Sequence, residues 1–479
     1  MVVTGRLATS ATIQKYRIFH EAYMTISTIN RFIQLLADAF GALGADVSMH
    51  EIERLAMLVH SAMENKRRTY HTSSHVFHMC NGMNPRQVLA AIFHDVVYYQ
   101  LDGGFPQQAA DLLKPVVRNE NGALVLNAIA EDDTALQLCA GVFGFKPGES
   151  LPLFGGMNEF LSAVVAARLL QPHLQMPDLI EIVACIEATV PFRKVDAEGR
   201  DYTYHLAGRI RELSRKLPGN ISDEEIERHV TQVMLDAVKF ANRDVEGFAE
   251  PNPGKFLSAT WQLIEESNAP LIAVGVYTLQ DYRVALSRME KFLGSLNPQN
   301  IFHHYGHFPD DAEFARLNEA ARKNLAFSCD YLGAKITSIA IIEALALETG
   351  GNCPISMFLG DIHSPDGRPD RVEDFLPPVN FVTELKSRLL LVLEQGRAQE
   401  SSSDLNASPL TAYTYRCMGH EKSLVALQQS KRMFAGELSP LEFLKGLDRE
   451  MILAITDACA HIAISRREAL LKLHVKLSE

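Results

Sequence analysis

Apolar residues recur every three or four positions along most of this chain, as in TISTINRFIQLLADAF (25–40) and HEIERLAMLVHSAM (50–63). Polar residues fill the remaining positions, which is the pattern of helices that bury one face. Alternating, strand-like runs are few. The expectation is an all-α protein. With 479 residues, 47% of them hydrophobic, the chain can bury a large core and is long enough for two domains.

Two stretches rich in Pro and Gly interrupt the helical pattern, FGFKPGESLPLFGG (143–156) and EPNPGKF (250–256). The second is taken as the domain boundary, giving residues 1–255 and 256–479. The later half continues in helical patterns (310–348 and 439–473) and reads as a companion domain without internal repeats. GRAQESSSDLNASP (396–409) has little apolar content and reads as a mobile loop.

The formal net charge of −12 argues against general binding to nucleic acid or to an anionic membrane. A phosphate ligand must therefore meet a local cationic site. The seven cysteines are scattered singly, with no CxxC pair, as suits a reducing cytoplasm. The N-terminal segment lacks an apolar stretch of signal-peptide length, and Lys335 and Glu343 interrupt the longest apolar run, so neither secretion nor membrane spanning is expected.

The chemistry concentrates in KRRTYHTSSHVFHMCNGMNPRQVLAAIFHDVVYYQ (66–100). His71 and His75 are four apart and share a face if that segment is helical. The apolar run VLAAIF then delivers His94-Asp95 inside a core-forming helix, two potential ligands held by core packing. Neutral imidazole suits transition metals, and a carboxylate supplies charge for a hard cation. A distal aspartate would complete such a set. VMLDAVKFANRDVEGFA (233–249) offers Asp236 and Asp244, of which Asp244, with the small Ala241 nearby, is preferred.

These residues resemble the ligand pattern of the HD superfamily of metal-dependent phosphohydrolases: a His, then His-Asp, then a distant Asp. YHTSSHV also resembles the YHxxxH element of cyclic-nucleotide phosphodiesterases, in which the first His donates a proton and the second binds metal. The resemblance covers roughly residues 50–250. It implies an HD-type helical bundle followed by a second helical domain, with His75, His94, Asp95 and Asp244 as metal ligands and His71 as general acid. Asp95 would also serve catalysis by anchoring the ion.

The implied cofactor is a divalent ion (Mn, Mg, Fe or Zn), one or two per site. Many family members carry extra histidine ligands between the His-Asp pair and the distal Asp, whereas this chain has only the scattered His173, His205 and His229 in that interval. Glu159 in MNEFLSA and Glu187 in CIEATVPFR are the candidates there for a second ion or its waters, with His173 a weaker one. Either glutamate equally suits a structural pair with Arg168 or Arg193. Lys66, Arg67, Arg68 and Arg193 are the candidate phosphate contacts, Arg being suited by its planar fork.

The implied activity is hydrolysis of a phosphate ester or diester of a small nucleotide-like molecule. A di-iron oxygenase and a nucleotide-binding regulator with a slow site are the alternatives. A homo-oligomer is compatible with the sequence. His78 rivals His71 for the acid, and the histidines of IFHHYGHFPDD (His303, His304, His307) invite a second metal reading but equally suit an ordinary loop.

Overall fold

The computed structural model describes residues 26–218, 222–274, 276–362, 368–379, 387–399, 401 and 403–479. The N-terminal segment read above for a signal peptide lies outside them up to residue 25. Helix makes up 65% of the structure against 3% strand, which bears out the all-α class.

Helix starts follow local chemistry. In the Pro85–Phe93 helix, Asn84 and Gln87 form a reciprocal capping box with Pro85 in the first turn. Ser222 and Glu225 do the same for the Asp223–Asp244 helix. The small amount of strand is a hairpin, Val117–Glu120 paired antiparallel with Ala123–Leu126. Asn121 and Gly122 both take positive φ in its turn, the backbone a tight hairpin needs.

Buried apolar side chains form two cores. One draws on residues from Phe32 to Ala241 and the other on residues from Val245 to Leu477. The changeover falls at the end of the Asp223–Asp244 helix, ahead of the boundary expected at residues 255 and 256. The two cores are stitched by polar contacts: the Thr69 hydroxyl donates to the Gln262 carbonyl at 2.6 Å.

The Asp311–Thr349 helix is long and apolar enough to cross a membrane by length and composition, but 78% of its apolar window is buried inside the protein. Its two buried charges are partnered there, Lys335 with Asp404 at 2.8 Å and Glu343 with Arg283 at 2.9 Å.

The 396–409 segment, expected as a mobile loop, is instead packed. Arg397, Ser403 and Ser408 are buried. Arg397 lies 3.1 Å from Asp404 and its guanidinium sits over the Trp261 ring at 3.9 Å. Charge pairing and cation–π stacking take the place of the apolar content whose lack suggested exposure. Residues 400 and 402 of that segment lie outside those described.

Candidate metal centre

Three backbone elements bring the expected ligands together. His75 lies on the short Ser73–Met79 helix, His94-Asp95 follows the Pro85–Phe93 helix, and Asp244 is the last residue of the Asp223–Asp244 helix. Cross-links fix the last two against each other. The Gln87 side chain, fully buried, donates to the Asp236 carbonyl at 2.8 Å, and Lys239 reaches the Gly82 carbonyl at 2.8 Å.

Two local expectations differ from the structure. His94-Asp95 was placed inside a helix, but His94 is its C-cap. The last carbonyls of a helix lack intrahelical partners, and His94 Nδ1 takes one, donating to the Ala91 carbonyl at 2.8 Å. His71 precedes the helix that carries His75, so the two are not related by a helical turn. They still converge, with ring centroids 6.0 Å apart.

The bond to Ala91 places a proton on Nδ1 of His94 and leaves Nε2 for other work. That Nε2 lies 3.3 Å from His75 Nε2 and 2.9 Å from Asp95 Oδ2. His75 Nε2 is 3.1 Å from Asp244 Oδ1 and 3.7 Å from Asp95 Oδ2. One ligand atom each from His75, His94 and Asp95 fits within 4.8 Å of the others. Ion–ligand bonds of roughly 2.0–2.2 Å put neighbouring donor atoms about 3 to 3.5 Å apart, so this spacing suits one shared cation.

Two further features fit a cation. Asp95 Oδ2 is buried and has no hydrogen-bond partner of proper geometry despite its closeness to His94. Asp95 and Asp244 also sit at the C-terminal ends of two helices, whose dipoles add negative potential there.

The electrostatics carry the same signature. Burial opposes charge on His94, but Asp95 and Asp244 outweigh it and lift its pKa to about 9. Burial would raise Asp95, yet His94, His71 and His75 hold it well below the usual carboxylate range. Without an ion, protons occupy the place of the positive charge. Glu159 is pushed up to about 7, first by burial and then by the charges of Asp95 and Asp244.

Glu266, from the Pro253–Ser267 helix, was not found from the sequence. One of its oxygens accepts from the backbone N–H of Thr69, Tyr70 and His71 at 2.9, 2.9 and 3.1 Å. The other meets His71 Nδ1 at 2.5 Å. Burial works against charge on His71, but Asp95, Glu266 and Asp244 keep its pKa above the ordinary imidazole value. The Tyr98 ring packs edge-on against His71, centroids 5.0 Å apart.

Other expected residues are engaged elsewhere. Arg68, expected at substrate phosphate, is buried, with its guanidinium bonded to Asp102 at 2.6 Å and to the Asp95 carbonyl at 2.7 Å. It braces the turn that carries Asp95 and has no open face for a ligand. Lys66 and Arg67 are exposed. Glu187, expected as a second-ion ligand, is instead held by Arg193 at 2.6 Å and Arg209 at 2.7 Å in a structural cluster of one carboxylate and two cations. Arg168 pairs with Asp133 instead.

Asp236 accepts from Gln232 at 2.7 Å, on the same helix as Asp244 but two turns earlier. His78 pairs with Glu246, and His173 faces Glu51 at 3.7 Å. Burial and the neighbouring Arg193 lower His303 to about 3, which keeps it neutral. Among the described residues, His303, His304 and His307 form no group of metal-binding geometry.

Comparison of the chain with family models, with characterised proteins and with solved structures returns no match.

Proposed function

We propose that this chain is a metal-dependent hydrolase of HD type, acting on a phosphate ester or diester of a small nucleotide-like molecule. The observation that carries the reading is the convergence of His75, His94, Asp95 and Asp244 around a buried carboxylate oxygen without a hydrogen-bond partner.

In this reading those four residues hold a divalent ion. The chemistry such an ion supplies when bound is Lewis acidity, toward water and toward a phosphoryl oxygen. His94 is oriented by its bond to Ala91, and Asp95 by the turn that Arg68 braces. Oriented ligands of this kind hold a metal more tightly than free side chains do.

His71 is the proton donor to the leaving oxygen. Glu266 occupies its Nδ1, which leaves Nε2 as the nitrogen that gives up the proton. The carboxylates of Asp95, Glu266 and Asp244 raise its pKa above the ordinary imidazole value, which favours the protonated ring. Such a donor is typically worth about 10²- to 10⁴-fold in rate.

The test compares two histidines. His75→Ala should lose metal, whereas His71→Ala should keep it and lose about 10²- to 10⁴-fold in kcat. The His71 deficit should shrink on a nitrophenyl ester, whose leaving group needs little protonation. A His71 variant that loses metal, or whose deficit is the same for good and poor leaving groups, rejects the acid role.

A further inference from the structure

A cavity of about 370 Å³ opens beside the Met176–Ala188 helix, and its lining shares no residue with the His75–His94 cluster. Its walls combine two chemistries. Phe143, Phe145 and Tyr202 supply aromatic surface, while Arg193, Lys194 and Arg209 supply cations.

The cations are only partly neutralised. Glu187 lies between Arg193 and Arg209, and the other lining carboxylate, Asp196, is already paired with Arg200 at 2.8 Å and with His205 at 2.9 Å. Lys194 is exposed at the rim. Arg193 Nε is buried with no hydrogen-bond partner, although its guanidinium stacks over Tyr202 at 4.0 Å.

The cavity is at the small end of the range for organic ligands, enough for one ring and one charged group. We propose that it binds a small aromatic anion, a single ring bearing a phosphate or carboxylate group. The ring lies against Phe143, Phe145 and Tyr202, and the anion meets Arg193, Arg209 and Lys194. This site does not rest on the hydrolase reading.

Calorimetric titration of the whole 479-residue chain tests it with phenylphosphonate and benzoate as ring-plus-anion probes, inorganic phosphate as the anion alone and phenol as the ring alone. Phenylphosphonate or benzoate should bind one per chain and more tightly than phosphate or phenol. Whichever of the two binds better identifies the anion as phosphate-like or carboxylate.

Lys194→Glu alters only an exposed side chain and should weaken binding at least about threefold. Arg193→Gln combined with Glu187→Gln removes a cation without stranding its buried partner and should abolish binding. Asp244→Asn should leave it unchanged. The proposal is overturned if neither ring-plus-anion probe saturates. It is overturned equally if phosphate alone binds as well, if Lys194→Glu has no effect, or if Asp244→Asn abolishes binding.

Discussion

His71 and Glu266 meet at 2.5 Å through Nδ1 and Oε1, although 195 residues separate them in the chain. The same carboxylate gathers three consecutive backbone N–H groups. A residue from the second core thus fixes both the ring and the backbone of the proposed acid. Glu266→Gln should retain metal but lower kcat by about 10- to 100-fold, the usual effect of removing an orienting partner. Because Glu266 helps keep His71 protonated, the alkaline limb of the pH–rate profile should move to lower pH. An unchanged limb would mean that Glu266 acts only on the fold.

Metal binding should release protons. The site free of metal carries a proton on His94, whose pKa lies at about 9, and an ion must displace it. Affinity should therefore rise with pH up to that value and level off above it. Titration at pH 7 in buffers of different ionisation enthalpy should report release of about one proton or more per ion. Binding that takes up no protons and does not vary between pH 6 and 9 would contradict this arrangement.

Asp244→Asn should lower metal content far more than Asp236→Asn. Asp244 stands 3.1 Å from His75 Nε2, whereas Asp236 accepts from Gln232. Elemental analysis of the two variants decides it, and the reverse order would move the distal ligand to Asp236.

Glu159 gives the metal-free protein a pH-dependent stability. Its folded pKa of about 7 lies above the unfolded value, so the folded state binds the extra proton between them. Stability should fall as pH rises through this window, by on the order of 2 kcal/mol between pH 5 and 8. Glu159→Gln should flatten that slope in denaturant unfolding with a chelator present. A slope equal to that of the parent protein would assign the effect to another group.

Helix positions were legible in the sequence because one-sided burial leaves a three-to-four periodicity. The identities of His75, His94, Asp95 and Asp244 were also legible as a pattern. Their local settings were not. The helix before His94 ends where a ring nitrogen takes the Ala91 carbonyl, a contact with no mark in an apolar run. Arg68 lies in a charge run that reads as a set of phosphate contacts, and its burial rests on Asp102, distant in sequence, and on the Asp95 carbonyl. Glu266 follows ordinary core residues of its helix, and nothing in that segment points to His71. The packed 396–409 segment escaped for the same reason, since Arg397 is compensated by Asp404 and Trp261 rather than by apolar neighbours.

In the proposed function, His94 and Asp95 hold an ion on which phosphoester hydrolysis depends. The most direct test is elemental analysis of the protein and of its His94→Ala and Asp95→Ala variants, all purified without added metal and assayed on nucleotide phosphomonoesters and diesters. The parent protein should hold one or two divalent ions per chain, and metal and hydrolysis should be lost together in both variants. Full metal occupancy in both variants would contradict it.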